Sequence, residues 1–319
     1  MKYIYVVAFV MFGYLPSDLA AKGLPAIKLT EEWKEKVRST APDKPQVKPK
    51  EERKVLVFSL NTGFKHWCIP HTTAVVKILG EETGAYTSVE SKDLKEFLPE
   101  NISKYDAIVL NNNCPDRKDR DMFRDVLINK MDEYGSEYAS MPLKEREALA
   151  EKLYKSLVSY VADGGGLVLL HGAITNFAMS DEFSAMVGGS FDFHPPQQEV
   201  TLYPVSEGHP MLDPFGGKPF VYFDEPYIMN RAYAKLDFHP LLEMKVDELL
   251  PNKKVEKLDD IPRYMAWVRS HKKGRVFFCS PSHNAHAFER PELLGFILNG
   301  MQYTIGDLKC PDTVPARSK

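Results

Sequence analysis

Asp163-Gly164-Gly165-Gly166-Leu167-Val168-Leu169-Leu170-His171-Gly172-Ala173-Ile174 is the stretch that decides how this chain folds. Its glycine run lets the backbone leave a helix by a sharp turn. Four apolar residues without polar alternation then predict a strand buried on both faces, as in a parallel sheet. The strand stops at His171, and the small residues Gly172 and Ala173 leave room for a ligand or a helix to approach the backbone. An imidazole at the carboxyl end of such a strand stands where open α/β sheets hold their ligands. The plainer alternative is a buried histidine satisfied by ordinary hydrogen bonds.

Upstream, Val55 to Leu60 shows no polar alternation and predicts a central, parallel strand. Pro70 to Glu82 carries helical periodicity through Ala74, Val75, Ile78 and Leu79, with Pro70 suited to a first turn and Gly84 to a stop. Tyr86 to Glu90 and Tyr105 to Leu110 predict two more strands. Arg117 to Tyr138 is charged and helical in part, and Met141-Pro142 opens a long helix running to about Ala162. Downstream, a short helix follows Ser180 and ends at Gly188-Gly189. Strands are predicted at Glu199 to Val205, Phe220 to Phe223 and Leu241 to Val246. Tyr264 to Arg269 and Arg275 to Ser280 form a hairpin-like pair, and Leu293 to Tyr303 a closing helix. Strand, helix, strand, strand, helix, strand implies a doubly wound, mostly parallel α/β sheet.

The 319 residues allow one large domain or two modest ones. A formal net charge of −3, with no basic stripe, argues against nucleic acid as a partner. Met1 to Ala21 reads as a secretory signal: Lys2, an apolar core too short to span a bilayer, then a break and small residues. The mature protein is therefore expected to be exported, periplasmic or secreted, with no stable membrane anchor. Residues 22–53, rich in Lys, Glu and Pro, read as a solvated linker with a short helix around Glu31 to Val37. The domain proper is expected over 54–306, with 307–319 a tail. Cys68, Cys114, Cys279 and Cys310 show no CxxC spacing, so a cysteine zinc site is not expected; export permits a disulfide whose pairing stays open.

Polar clusters follow several predicted strands: Asn61 to His71, Asn111 to Asp116, His171, Asp224-Glu225 and Ser282 to His286. If the strands are parallel these gather at one rim. Two site models fit. In one, His66, His171 and His283, with Glu225 or His71, bind a divalent metal such as zinc that polarises a carbonyl or activates water. In the other, the same groups act as general acids and bases without metal; a first-turn His71 would be kept neutral by the helix dipole. Asn111 and Asn113 are candidates to bind sugar hydroxyls, His194 in its Pro-rich loop to reach over a cleft, and Trp67 and Tyr227 to stack on a sugar ring. His209-Pro210 and His239-Pro240 read as turn residues, His271 as exposed, and His286 as lining the site or capping the next helix.

Gly63-Phe64-Lys65-His66, the Gly164 to Ala173 stretch, Gly188-Gly189 before Phe193-His194-Pro195, Asp224-Glu225, and Gly274-Arg275-Val276 leading to His283 occur in an order that resembles the ThuA-like (trehalose-utilisation) family. The resemblance covers roughly Lys54 to Gly306. It implies a flavodoxin-like fold similar to class I glutamine amidotransferases, with added antiparallel strands. It also implies carbohydrate catabolism, acting on glycosides oxidised to 3-keto sugars by a partner sugar 3-dehydrogenase, with no nucleotide cofactor. Amidotransferases carry a nucleophilic cysteine at the elbow where this chain has His171. An imidazole cannot form their thioester, so a glutaminase is not expected.

The leading expectation is an exported enzyme that abstracts a proton beside the carbonyl of a keto-glycoside, with isomerisation or elimination to follow. Glu225 is the expected base, His171 and His283 metal ligands or carbonyl polarisers, and His66 a further ligand. A non-catalytic carbohydrate-binding protein using the same cleft is the alternative. A cysteine hydrolase built on Cys68 or Cys114 is the third.

Overall fold

The computed structural model describes residues 23–315; the expected signal segment, Met1 to Ala21, lies outside them. None of the helices among the described residues is long and apolar enough to cross a membrane.

Six strands form the scaffold that carries the chemistry: β1 (Lys54–Phe58), β2 (Thr87–Ser91), β3 (Ala107–Asn111), β4 (Gly166–Leu170), β7 (Phe220–Asp224) and β11 (Gly274–Cys279). With β6 (Gln198–Pro204), β9 (His239–Met244) and β10 (Arg263–His271) they make one nine-stranded sheet, ordered β2-β1-β3-β4-β11-β10-β9-β6-β7. The block from β2 to β11 is parallel throughout, and β11-β10-β9-β6-β7 is antiparallel at each step. Four successive reversals turn β7 back into the direction of β11. The carboxyl ends of β1, β3, β4, β11 and β7 therefore all point to the same side of the sheet.

Both faces of the sheet are covered because β11 has apolar residues on each. Phe277 packs edge-on against Phe296 of helix α5 (Pro291–Ile305) at 5.3 Å. The next residue, Phe278, faces the other way and packs on Trp267 at 4.3 Å. The Trp267 indole N–H donates at 2.8 Å to Val187 O, the last residue of helix α4 (Asp181–Val187). Helices α1 (Glu31–Thr40) and α2 (Ile69–Thr83) join α5, while α3 (Leu143–Asp163) packs with the short helices at Pro99–Ile102 and Met122–Arg124.

Each predicted strand and helix is present, with ends within a few residues of expectation. A second sheet was not foreseen: β5 (Ser190–Phe193) pairs antiparallel with β8 (Ile228–Asn230). The described part of the expected linker, residues 23–53, also differs from a solvated segment. Thr30 caps α1 by accepting from Trp33 N at 3.1 Å. Trp33 and Val37, four residues apart, are buried where α1 meets α2. Beyond the helix, Val47 N–H donates to Gln302 Oε1 at 3.2 Å, and Arg53 pairs with Asp307 at 2.6 Å and Asp106 at 3.0 Å. The segment is a strap bound across the domain. The described tail is bound as well, since His209 Nε2 and His239 Nδ1 each lie 2.9 Å from a tail carbonyl, of Pro311 and Thr313. His239 thus opens β9 instead of standing in a turn.

Candidate active site at the carboxyl rim of the sheet

β4 ends by turning sharply into a 3-10 turn over His171–Thr175, and His171 takes φ +43°. That left-handed conformation costs a non-glycine residue roughly 1–2 kcal/mol. It stands the imidazole up on the rim. Asn112, one residue past β3, is also left-handed at φ +52°. Its Oδ1 accepts from Gly172 N at 3.2 Å and its own N–H donates to Leu170 O at 3.2 Å, stitching the two strand ends together. Asp224, buried at the end of β7, accepts from Glu225 N at 2.7 Å through Oδ1 and from His283 N at 3.2 Å through Oδ2. One carboxylate thereby fixes the backbone under both Glu225 and His283. Burial pushes Asp224 up to about 7.

The outcome is a compact cluster. His66, His171, Glu225 and His283 each offer one ligand atom, all within 4.8 Å of one another, and all four residues are buried. His171 Nε2 is 3.3 Å and His283 Nδ1 3.2 Å from Glu225 Oε2, and these two ring nitrogens are 3.2 Å apart. Ligand atoms about 2.0–2.1 Å from a tetrahedral zinc stand roughly 3.3–3.4 Å apart, so the triangle has the edge length of a coordination tetrahedron. His66 packs edge-on to both other imidazoles, at 5.1 and 5.0 Å between ring centres, and its Nδ1 has no hydrogen-bond partner.

Proton placement sharpens this. His171 Nδ1 lies 2.9 Å from Ser280 O, which can only accept, so Nδ1 carries the hydrogen. In the neutral ring Nε2 then presents a lone pair to the Glu225 carboxylate and to His283 Nδ1, an arrangement that either a hydrogen on His283 Nδ1 or a cation between the three groups satisfies. Burial first, and His283 beside it, lower His171 to about 4 against the pull of Glu225, which keeps the ring neutral near pH 7. His66 is held well below its ordinary value by burial and by its two histidine neighbours. Burial alone would raise Glu225, but the bonds from His171 and His283 outweigh it and hold the carboxyl far below the usual range. His283 goes the other way: burial opposes its charge, yet Glu225 and Asp224 raise it. Gln197 Nε2 sits 2.8 Å from His283 Nε2. Gln197 Oε1 accepts from Asn284 Nδ2 at 3.2 Å, so the amide nitrogen donates to His283 Nε2 and the His283 hydrogen sits on Nδ1. A cation at the cluster would require the opposite tautomer, with the Gln197 amide turned over and the Asn284 bond given up.

Above the cluster a cavity of about 510 Å³ is lined by His66, Glu225, His194, Tyr227, Phe64 and Phe191, among others. Two larger clefts, of about 930 and 1030 Å³, lie at the opposite rim and hold none of the four cluster residues. His194 Nε2 is 3.7 Å from Glu225 Oε1 at the cavity mouth. Tyr227 packs on His171 at 4.1 Å, and Phe64 is 62% exposed beside His66, open to a ligand.

Other expected site residues are placed elsewhere. The Asn111 amide donates inward to Ser59 Oγ, Ile69 O and Thr73 Oγ1, and that of Asn113 to Phe58 O and Leu60 O, so neither is open to a sugar. Side chains two apart share a side of the chain, and the residue between them, Asn112, is the one that touches the rim. Trp67 packs against His71 and His286, which like it do not line the cavity. His71, in the first turn of α2, is lowered by burial, packed between Trp33 and Trp67. All four cysteines are free. Burial raises the Cys68 thiol, which donates to Ser282 O at 3.2 Å, and pushes Cys114 up to about 11, so neither is a ready thiolate.

Gly172 completes the packing under the cluster. A Cβ there would lie 2.7 Å from His66 Cε1 and 2.9 Å from Cys114 Sγ. Gly172→Ala is expected to displace His66 and cost about 1–3 kcal/mol, read as a lowered midpoint of urea unfolding. An unchanged midpoint would show that His66 is not pressed against this glycine.

Comparison with known proteins agrees with this architecture. The family model described as trehalose utilisation (ThuA) matches residues 54–304. The structure of a ThuA-like protein from Bacteroides uniformis superposes with a TM-score of 0.57 at 18% identity, covering 82% of this chain and 93% of that one. A ThuA-like protein from Parabacteroides merdae gives 0.52 at 17% identity, covering 83% and 94%. At these identities the likeness speaks for the fold alone. No curated protein matches the sequence.

Proposed function

The chain belongs to the ThuA, trehalose-utilisation family, and from that premise we propose that it is a carbohydrate-processing enzyme with a divalent metal, such as zinc, at the His66, His171, Glu225 and His283 cluster. The observation that carries this reading is the His171 Nε2 lone pair, fixed by Ser280 O and aimed at Glu225 and His283 from 3.2–3.3 Å. His171, His283 and Glu225 would supply three donors and His66 the fourth. When bound, the ion would polarise a keto oxygen.

The substrate class is a glycoside carrying a keto group, supplied by a sugar 3-dehydrogenase. His194 Nε2 lies 3.7 Å from Glu225 Oε1 at the cavity mouth and keeps its lone pair, because Nδ1 faces Pro195 O at 2.8 Å. It takes the proton from the carbon beside that carbonyl, and the Glu225 carboxylate, too weak a base to take it, steadies the imidazolium that forms. The C–H electrons form the enolate double bond. They then expel the glycosidic oxygen, which takes a proton back, or return to a neighbouring carbon in an isomerisation. Tyr227, Phe191 and Phe64 offer apolar faces to the sugar ring. Export through residues 1–21 belongs to the same reading.

Elemental analysis of the purified protein tests the centre, and turnover of 3-keto-glucosides tests the chemistry. About one equivalent of divalent metal per chain is expected, with turnover lost on chelation and restored by zinc. Full turnover by a metal-free chain would sink the metal, and saturable sugar binding without product would leave a binding protein.

A further inference from the structure

The wall of the same cavity carries a charge surplus that a neutral sugar does not use. Arg117, Arg120 and Lys130 line it together with Asp116 and Glu225. Lys130 is engaged, since its Nζ is 3.0 Å from Asp116 and 2.7 Å from Thr62 O. Glu225 is engaged with His171 and His283. Among the described residues neither Arg117 nor Arg120 forms an ion pair, while Lys130 and Arg124 nearby both do. Two guanidinium groups thus face a cavity whose carboxylates are already committed, in a chain of formal net charge −3.

The loop that carries them is held in place. Asp116 N–H donates to the buried Asp125 Oδ2 at 2.8 Å, and Arg120 N–H to Asp116 O at 3.1 Å. Phe177 N–H donates to Arg120 O, and Arg120 itself is left-handed at φ +52°. Its guanidinium lies 5.9 Å over the ring of Phe191, another wall residue. Arg120 is thus fixed at both backbone ends, with its guanidinium held against the cavity wall. Guanidinium matches the paired oxygens of a carboxylate or a phosphate.

We infer, on the carbohydrate reading above, that the substrate carries an anionic group, a carboxylate or a phosphate, received by Arg120 and Arg117 while the rest of the sugar faces the His/Glu cluster. The class is an acidic sugar: a glycoside of a hexuronic acid, or a sugar phosphate.

Calorimetric titration of the intact protein with glucuronate, glucose 6-phosphate and glucose separates the cases, with Arg117→Gln/Arg120→Gln alongside and metal content measured on both. The wild type is expected to bind one of the acidic sugars on the order of tenfold or more tighter than glucose, and the double variant to lose that preference with its metal content unchanged. Tighter glucuronate identifies the carboxylate, tighter glucose 6-phosphate the phosphate. Equal binding of all three by the wild type, or a preference surviving in the variant, overturns the inference and leaves the carbohydrate reading intact. Failure of every sugar to bind also overturns the inference, while the carbohydrate reading stands or falls on the turnover of 3-keto-glucosides.

Discussion

If the rim cluster is the metal centre of the proposed enzyme, His171→Ala is expected to abolish metal binding and turnover while leaving the protein folded. Removing a ligand from a preformed site costs roughly 100-fold or more in metal affinity, since loss of a mere supporting partner already costs about 10–100-fold. Turnover of a keto-glycoside should fall by roughly 10²–10⁴. The fold should survive because β4 keeps its register with β3 and β11. A companion variant separates chemistry from conformation. Alanine inherits the strain of φ +43° at this position, whereas glycine does not. His171→Gly should therefore unfold at higher urea than His171→Ala, by about 1 kcal/mol, and be equally inactive. Wild-type metal content and turnover in the alanine variant would remove His171 from the centre.

Trp267→Ala should have the largest effect on stability. The side chain is fully buried in β10, stacked on Phe238 at 4.7 Å and packed on Phe278 at 4.3 Å and Tyr233 at 5.6 Å. Its indole N–H also satisfies Val187 O, which α4 leaves without a helical partner. Truncation opens a cavity and orphans a buried carbonyl, a loss of about 3–5 kcal/mol. Equilibrium urea unfolding measures it. A loss below about 1 kcal/mol would mean that this side of the sheet is not packed around the indole.

The central strands were legible because each holds a short apolar run closed by a polar residue, as in Val55 to Phe58 and Gly166 to Leu170, and β6 because it alternates. The rim cluster was legible for a related reason: His171, Glu225 and His283 all lie within a few residues of a strand end, which is a local property. What escaped was non-local. β5 and β8 are only 4 and 3 residues long and pair across more than thirty positions of chain, so neither carries periodicity enough to announce itself. Gln197 and Arg120 sit in loops whose destination only the folded chain fixes. Asn111 and Asn113 misled because polarity at a strand end reads the same whether the amide turns to solvent or to its own backbone. The N-terminal strap was readable in part: Trp33 and Val37 already had helical spacing, and the surrounding lysines and glutamates masked it.

The antiparallel wing, finally, imposes a rule of parity on evolution. Glu225 reaches the histidines because an even number of antiparallel steps separates β11 from β7 across the sheet. Loops along the wing can lengthen freely, but gain or loss of a single strand would deliver the carboxylate to the far side of the molecule. Descendants of this architecture should therefore remodel the wing by whole hairpins or not at all.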